Sequence, residues 1–245
     1  MSELGVSVID TADTYGSGDC ELLLGKVLRG RRQCFTLVTK AGYRYSNLAG
    51  PLRPFNQFLK KCIKYIGPSQ LFTPAYLKKS IDDSLSRLDT DYVDAFLLHN
   101  PPLHIVNSEE VLCMLDSLQS AGKTRLTGVY SADGDVLKAA TSSGRYGVIQ
   151  LPASLKAAKK MLPVWQECIS QGIQILGNNI FDPVGFGVEG MTHELLMRGS
   201  SALLPSNATI LCGTHNPSHL RQSNEWACNP LPESEAHRLA MLLEI

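Results

Sequence analysis

The sequence predicts a parallel α/β barrel, and three observations carry that prediction. Strand-like apolar runs alternate with helix-like segments along the chain, the pattern of βαβ units. The length, 245 residues, is close to the roughly 250 residues of a single such barrel. Three apolar runs end on an ionisable side chain: Val6 to Ile9 on Asp10, Phe35 to Thr39 on Lys40, and Ala95 to Leu98 on His99. A parallel barrel builds its active site at the carboxyl ends of the strands, and neighbouring strands lie about 5 Å apart, so Asp10, Lys40 and His99 would meet in one mouth.

Seven strands are expected: Val6 to Asp10, Cys34 to Thr39, Tyr92 to Leu98, Leu126 to Ser131, Val148 to Leu151, Ile173 to Gly177 and Thr209 to Cys212. Most are continuous apolar runs, as strands covered on both faces should be. Between the second and third, Thr73 and Pro74 signal a helix start, and Leu77, Ile81, Leu85 and Leu88 follow at helical spacing. Ser108 is placed to cap the next helix, Glu109 and Glu110 suit its first turn, and Gly122 stands beyond its end. The connection from Ala41 to Phe72 is about 30 residues where a few are usual, which marks a lid or substrate loop. Within it Phe55, Phe58, Leu59, Cys62, Ile63 and Ile66 recur at helical spacing, opposite Lys60, Lys61 and Lys64; a short amphipathic helix packed on the barrel is preferred to a substrate-binding role. At the start, Ser2 to Leu4 read as the last turn of a helix stopped by Gly5. Seven strands do not close an eight-stranded barrel, so the chain reads as one (β/α)8 TIM barrel domain lacking its first β/α unit.

Lysine plus arginine equal aspartate plus glutamate at 23 each, without the basic footprint of a nucleic-acid binder, so a small-molecule partner is expected. The cysteines, Cys20, Cys34, Cys62, Cys113, Cys168, Cys212 and Cys228, form no C-x-x-C pair and have no histidines at zinc-ligand spacing. They read as reduced thiols of a cytoplasmic protein, and no metal site is expected. No run approaches the roughly 18 apolar residues of a membrane span, and Met1-Ser2-Glu3 is not the basic start of a signal peptide.

Asp10-Thr11-Ala12-Asp13-Thr14-Tyr15-Gly16 places a phenol just beyond the first strand, near where Lys40 and His99 should emerge. A neighbouring ammonium favours phenolate and lowers the tyrosine's ordinary value near 10, which would let Tyr15 act as an acid near neutral pH. Asp10 would hold Lys40 charged, Lys40 would tune Tyr15, and His99 would position a carbonyl oxygen. Singly each residue has a duller account, as helix cap, surface ion pair, packing group or backbone partner; the four together suit protonation of an oxygen that receives a hydride. Late in the chain, Gly213-Thr214-His215-Asn216-Pro217 feeds a helix start with Arg221 one turn on, a candidate anion site or an ordinary capped helix. No G-x-G-x-x-G follows an early strand.

These motifs resemble the aldo-keto reductase family. Val8-Ile9-Asp10-Thr11-Ala12-Asp13-Thr14-Tyr15-Gly16 with Glu21 and Leu24-Gly25 resembles its early motif, and Ser80 to Leu88 followed by Asp91-Tyr92-Val93-Asp94 and Leu97-Leu98-His99-Asn100-Pro101 its central one. The resemblance implies an eight-stranded barrel that reduces aldehydes or ketones, or oxidises alcohols, with NADP(H) first and NAD(H) second. It implies a catalytic set of Asp10, Tyr15, Lys40 and His99, with Tyr15 as proton donor. Ser131 and Gln150 match positions that bond the nicotinamide carboxamide, and Gly213, Thr214, Arg221 and Gln222 fall in the segment holding the adenosine phosphates. Asn178-Asn179 stands where many members stack an aromatic ring on the nicotinamide, Ala132 where an Asn usually follows the nicotinamide-binding Ser, and Ser223 where an Asn often meets the adenine. Against the reductase stand two readings: a non-catalytic, vestigial barrel serving as a binding or regulatory partner, and a Schiff-base lyase through Lys40, disfavoured because Asp10 would raise that lysine's pKa. Tyr43, Tyr45, Phe55 and Phe58 suit an apolar or aromatic substrate or plain packing. An open barrel seam would favour a homo-oligomer.

Overall fold

The computed structural model describes residues 5–45, 69–182 and 188–243. The expected helix ends at Ser2 to Leu4 and the amphipathic stretch from Phe55 to Ile66 lie outside the described residues. The chain divides into two compact units, Ser7–Tyr130, and Met1–Val6 with Ser131–Ile245. Each is a parallel sheet covered by helices.

The first unit holds β1 (Val8–Asp10), β2 (Thr36–Ala41), β3 (Val93–His99) and β4 (Thr124–Tyr130), paired in sequence order and all parallel. Its helices are α1 (Asp19–Leu28), α2 (Pro74–Leu88), the single turn α3 (Leu103–Val106) and α4 (Glu109–Ser120). Every residue of β3 is buried, as a strand covered on both faces requires. Behind β2, Glu21 of α1 is fully buried; its carboxylate accepts hydrogen bonds from Thr39 Oγ1 (2.6 Å) and Arg87 Nε (2.8 Å), tying α1 and α2 to the strand that carries Lys40.

The helix-start signals are realised unevenly. Thr73 caps α2 by accepting from the Tyr76 amide, with Pro74 in the first turn. Ser108 occupies the N-cap position of α4, yet its hydroxyl makes no capping bond, contrary to expectation; the two first-turn glutamates already supply negative charge at that helix end. β4 starts two residues earlier than expected, because Thr124 is buried and its hydroxyl donates to the Leu126 carbonyl. β1 begins at Val8 rather than Val6.

The long connection leaves and returns through a narrow neck. Leu71 N donates to the Gly42 carbonyl (2.8 Å) and Arg44 N to that of Ser69 (2.9 Å), with Tyr43 and Gln70 forming an antiparallel bridge. Gly42 has φ +140°, and a Cβ there would stand 2.3 Å from the Phe72 ring, so no other residue fits.

The second unit holds β5 (Val148–Pro152), β6 (Gln174–Asn178) and β7 (Ala208–Ile210), again parallel and in sequence order. Around them lie α5 (Gly134–Ser142), α6 (Leu155–Gln171), α7 (His193–Leu203), α8 (Pro217–Cys228) and α9 (Glu233–Leu242). Leu155, Leu196 and Ala236 join α6, α7 and α9 in a common core. All seven expected strands are therefore present, with ends shifted by a few residues. Cys20, Cys34, Cys113, Cys168, Cys212 and Cys228 are free thiols. Among the described residues no helix is long and apolar enough to cross a membrane, and no three His, Cys, Asp or Glu side chains form a metal site.

Candidate active site

Strand register alone brings three of the four predicted catalytic residues together. Asp10 pairs with Val38, Lys40 lies two residues further along β2 and pairs with Leu97, and His99 lies two residues further along β3. Side chains alternate with period two, so Asp10, Lys40 and His99 share one face, each a pleat nearer the carboxyl end than the last. This is the stagger of tilted strands.

Lys40 is 1% exposed, and its ammonium donates to Asp10 Oδ1 at 2.6 Å and to the Thr11 carbonyl at 2.7 Å. Thr11 N and Asp13 N donate to the Val38 and Lys40 carbonyls, so the segment after β1 stays tied along β2. A tight turn follows, in which Tyr15 N donates to the Ala12 carbonyl and both Gly16 and Ser17 adopt φ +58°. It sets the Tyr15 ring with its centroid 5.3 Å from Lys40 Nζ and 6.1 Å from the His99 ring, nearly perpendicular to the latter. The fourth predicted residue thus joins the other three. Tyr43 (4.9 Å) and Tyr130 (5.5 Å) also meet the His99 ring edgewise, so three tyrosines box the imidazole. Tyr43 is fixed in turn: its carbonyl accepts from Tyr76 Oη at 2.8 Å. Tyr130 went unnoticed in the sequence, although it faces His99 in the β3–β4 register. Tyr45 belongs elsewhere, lining a cavity with Tyr76, Lys79 and Arg87.

Electrostatics reverse one expectation. The Tyr15 phenol is pushed up, to about 12, by burial first and then by the carboxylate of Asp10 and the neighbouring Tyr130 and Cys20. Lowering by Lys40 does not prevail, because desolvation and the nearby carboxylate both penalise phenolate. The Lys40 ammonium is pulled down by burial, against the charge and hydrogen bond of Asp10 and the charges of Asp13 and Glu21. The expectation that Asp10 would set the direction is therefore also corrected: desolvation outweighs it.

In the second unit, Ser131 is fully buried; its amide donates to the Gln150 carbonyl (3.1 Å) and its hydroxyl accepts from Asp133 N (3.1 Å). Gln150 is 1% exposed in the middle of β5, and Asn178 ends β6 on the same sheet face. Beyond β7, Gly213, Thr214 and Gln222 line one cavity of about 300 Å³, with Ser223, Phe181 and Trp226 among its other walls. That volume sits at the lower end of ligand pockets, about 300–1,000 Å³. Asn216 caps α8 by accepting from Ser218 N, and Pro217 is its first residue. Arg221 does not line the cavity. His219, Gln222, Ser223 and Trp226 recur at helical spacing and share the cavity face of α8, whereas Arg221 is rotated about 100° from Gln222 and is exposed. His219 and Trp226 were missed, although that spacing is legible in the sequence. The cavity thus combines a glycine, hydroxyls, an amide, a thiol and aromatic and imidazole rings.

The sequence model of the Aldo/keto reductase family matches residues 1–187. The uncharacterized oxidoreductase YqkF of Bacillus subtilis is 30% identical over 167 residues, covering 67% of this chain and 49% of that protein. The NADH-specific methylglyoxal reductase of Escherichia coli is 27% identical over 193 residues, 75% of this chain and 54% of that protein. The chain thus spans about half the length of these curated relatives. A solved aldo-keto reductase from Klebsiella pneumoniae in complex with NADPH superposes with a TM-score of 0.69 at 21% identity, covering 99% of this chain and 81% of that one. This likeness shows the fold, and it is the parallel α/β barrel class expected from the sequence.

Proposed function

Because the chain belongs to the aldo/keto reductase family, we propose that it is an oxidoreductase that moves a hydride between NADP(H) and an aldehyde or ketone, or back from the alcohol, with Tyr15 as general acid and base. The observation that carries this reading is the buried Lys40 ammonium, clamped by Asp10 and Thr11 and standing beside the Tyr15 ring. NADP(H) is preferred because a solved relative binds NADPH; NAD(H) is the second choice because the Escherichia coli relative is NADH-specific.

When bound, the reduced nicotinamide supplies the hydride. Tyr15 gives its proton to the substrate oxygen as that oxygen gains charge. With its pKa near 12 the phenol is fully protonated at neutral pH, and an alkoxide is the stronger base, so the transfer runs downhill. Lys40 stabilises the phenolate left behind, and Asp10 keeps the ammonium fixed while it does so. His99, held by its tyrosine box, offers a rigid polar wall against which a carbonyl can be oriented. Ser131 and Gln150 would hold the nicotinamide end, and Gly213, Thr214 and Gln222 would hold the adenosine end, with Arg221 contributing charge from outside the cavity.

The test is a fluorescence titration of the folded chain with NADPH and, separately, NADH, followed by a screen of small aldehydes and ketones. Saturable binding at micromolar concentration with carbonyl turnover is expected. A folded chain that binds neither dinucleotide would overturn the reading in favour of a non-catalytic barrel.

A further inference from the structure

One of the buried side-chain oxygens in the second unit that have no hydrogen-bond partner among the described residues stands at the carboxyl end of a strand. Asn178 closes β6, and its side-chain Oδ1 is buried with no hydrogen-bond partner among the described residues. Native proteins keep few such acceptors without a functional reason. The residue is held in place: its own carbonyl accepts from Ala153 N at 2.8 Å, and Asn179 immediately after it turns away at φ +53°.

Its neighbours define what it would meet. Gln150 pairs with Leu176 and Pro152 with Asn178, so Gln150 and Asn178 face the same side, with Asn178 one pleat nearer the carboxyl end. This is the same two-residue advance that carries Asp10 to Lys40 and Lys40 to His99. Ser131 adjoins Gln150 on its other side through the amide bond to the Gln150 carbonyl. Two primary amides therefore share one face of the sheet, and the one nearer the carboxyl end presents an acceptor. Such a face is complementary to a flat group carrying both a carbonyl and an N–H donor, which is a primary carboxamide. An aromatic side chain at this position would offer a stacking face and no such acceptor.

We propose that Asn178 Oδ1 accepts a hydrogen bond from the carboxamide NH2 of the nicotinamide ring, so that this chain grips the ring by its amide at the end of β6. The assignment rests on the dinucleotide reading above and adds a specificity residue to it.

Isothermal titration of the full chain with NADP+ and with its 3-acetylpyridine analogue, in which a methyl ketone replaces the carboxamide, tests this directly. The wild-type chain should bind NADP+ about tenfold more tightly, the worth of one well-made hydrogen bond. Asn178→Leu should bring the two affinities within about twofold, the loss falling on NADP+. Asn178→Asp, which keeps the acceptor, should retain the preference. Should Asn178→Leu fail to fold by circular dichroism, Asn178→Ala carries the same expectation. A preference that survives Asn178→Leu or Asn178→Ala, or is absent from the wild type, overturns the assignment alone; a folded wild type that binds neither dinucleotide overturns the dinucleotide reading and this one with it.

Discussion

The two ends of the β1–β4 sheet hold the same ingredients, an aspartate, cations and a tyrosine, and use them differently. At the amino end, Asp94 accepts from Arg32 (2.7 Å), from Arg125 (2.9 Å) and from the Leu37 amide (2.8 Å). The Tyr92 ring lies 4.4 Å from one guanidinium and 4.6 Å from the other. At the carboxyl end, Asp10 meets one buried ammonium, and Tyr15 beside it is left 40% exposed. Arginine's planar fork can saturate a carboxylate and cover an aromatic face at once, so the amino end is a clasp. Lysine delivers a point charge, and at this end burial lowers the ammonium's pKa and raises that of the partly exposed phenol beside it. The clasp holds strands together; the carboxyl end leaves a partly exposed phenol within reach of solvent.

The sharpest way to break this contrast is Tyr15→Phe. Turnover of a carbonyl substrate should fall about 10³-fold while the unfolding midpoint and NADPH affinity stay unchanged; loss of affinity in parallel would remove Tyr15 from the acid's role. Asp94→Ala should behave as the mirror image. Its carboxyl side chain is 12% exposed and paired with an equally buried Arg32, so urea unfolding should show a loss of about 3 kcal/mol with turnover per folded molecule intact. An activity loss matching the Tyr15 variant would erase the distinction between the two ends.

A pH profile sharpens the comparison with a smaller effect. Burial and Asp10 raise the Tyr15 pKa, so its proton is retained through neutrality and lost only as pH climbs towards 12. Single-turnover reduction should be level from neutral pH to about 10 and decline above it, and Tyr15→Phe should abolish the decline. A fall centred near pH 8 would mean that Lys40 outweighs burial after all. Least of all, Arg125→Ala should cost under about 1 kcal/mol, because that side chain is 65% exposed even though it touches Asp94; a loss as large as that of Asp94→Ala would make the clasp a three-body unit.

Residues whose position follows from local pattern were legible in the sequence. Buried strands announce themselves as apolar runs, and a charged residue ending such a run marks the edge where it emerges; Asp10, Lys40 and His99 were found in this way. Features that depend on register or desolvation were not. The partners of Glu21, Arg87 and Thr39, are remote in sequence, and the clasp at Asp94 draws on β2, β3, β4 and the turn before β2. The direction of the Tyr15 shift escaped for a related reason. A neighbouring lysine can be guessed from strand order, but the burial that outweighs it exists only once the chain is packed. The resemblance places Arg221 and Gln222 in one segment, whereas the helix sorts neighbours by angle and only Gln222 lines the cavity.

The neck at Gly42 and Phe72 has a bearing on how such a protein changes over generations. Because the strands are pinned on the near side by backbone hydrogen bonds and a contact that tolerates no side chain, whatever lies beyond is joined to the barrel at one fixed gate. Doubling the number of residues past that gate costs roughly 0.6 kcal/mol of closure entropy, small against the hydrogen bonds that hold it shut. Insertions or deletions past that gate are therefore expected to cost the strands little, because the hydrogen bonds that seat β2 and the start of α2 all lie on the near side of it.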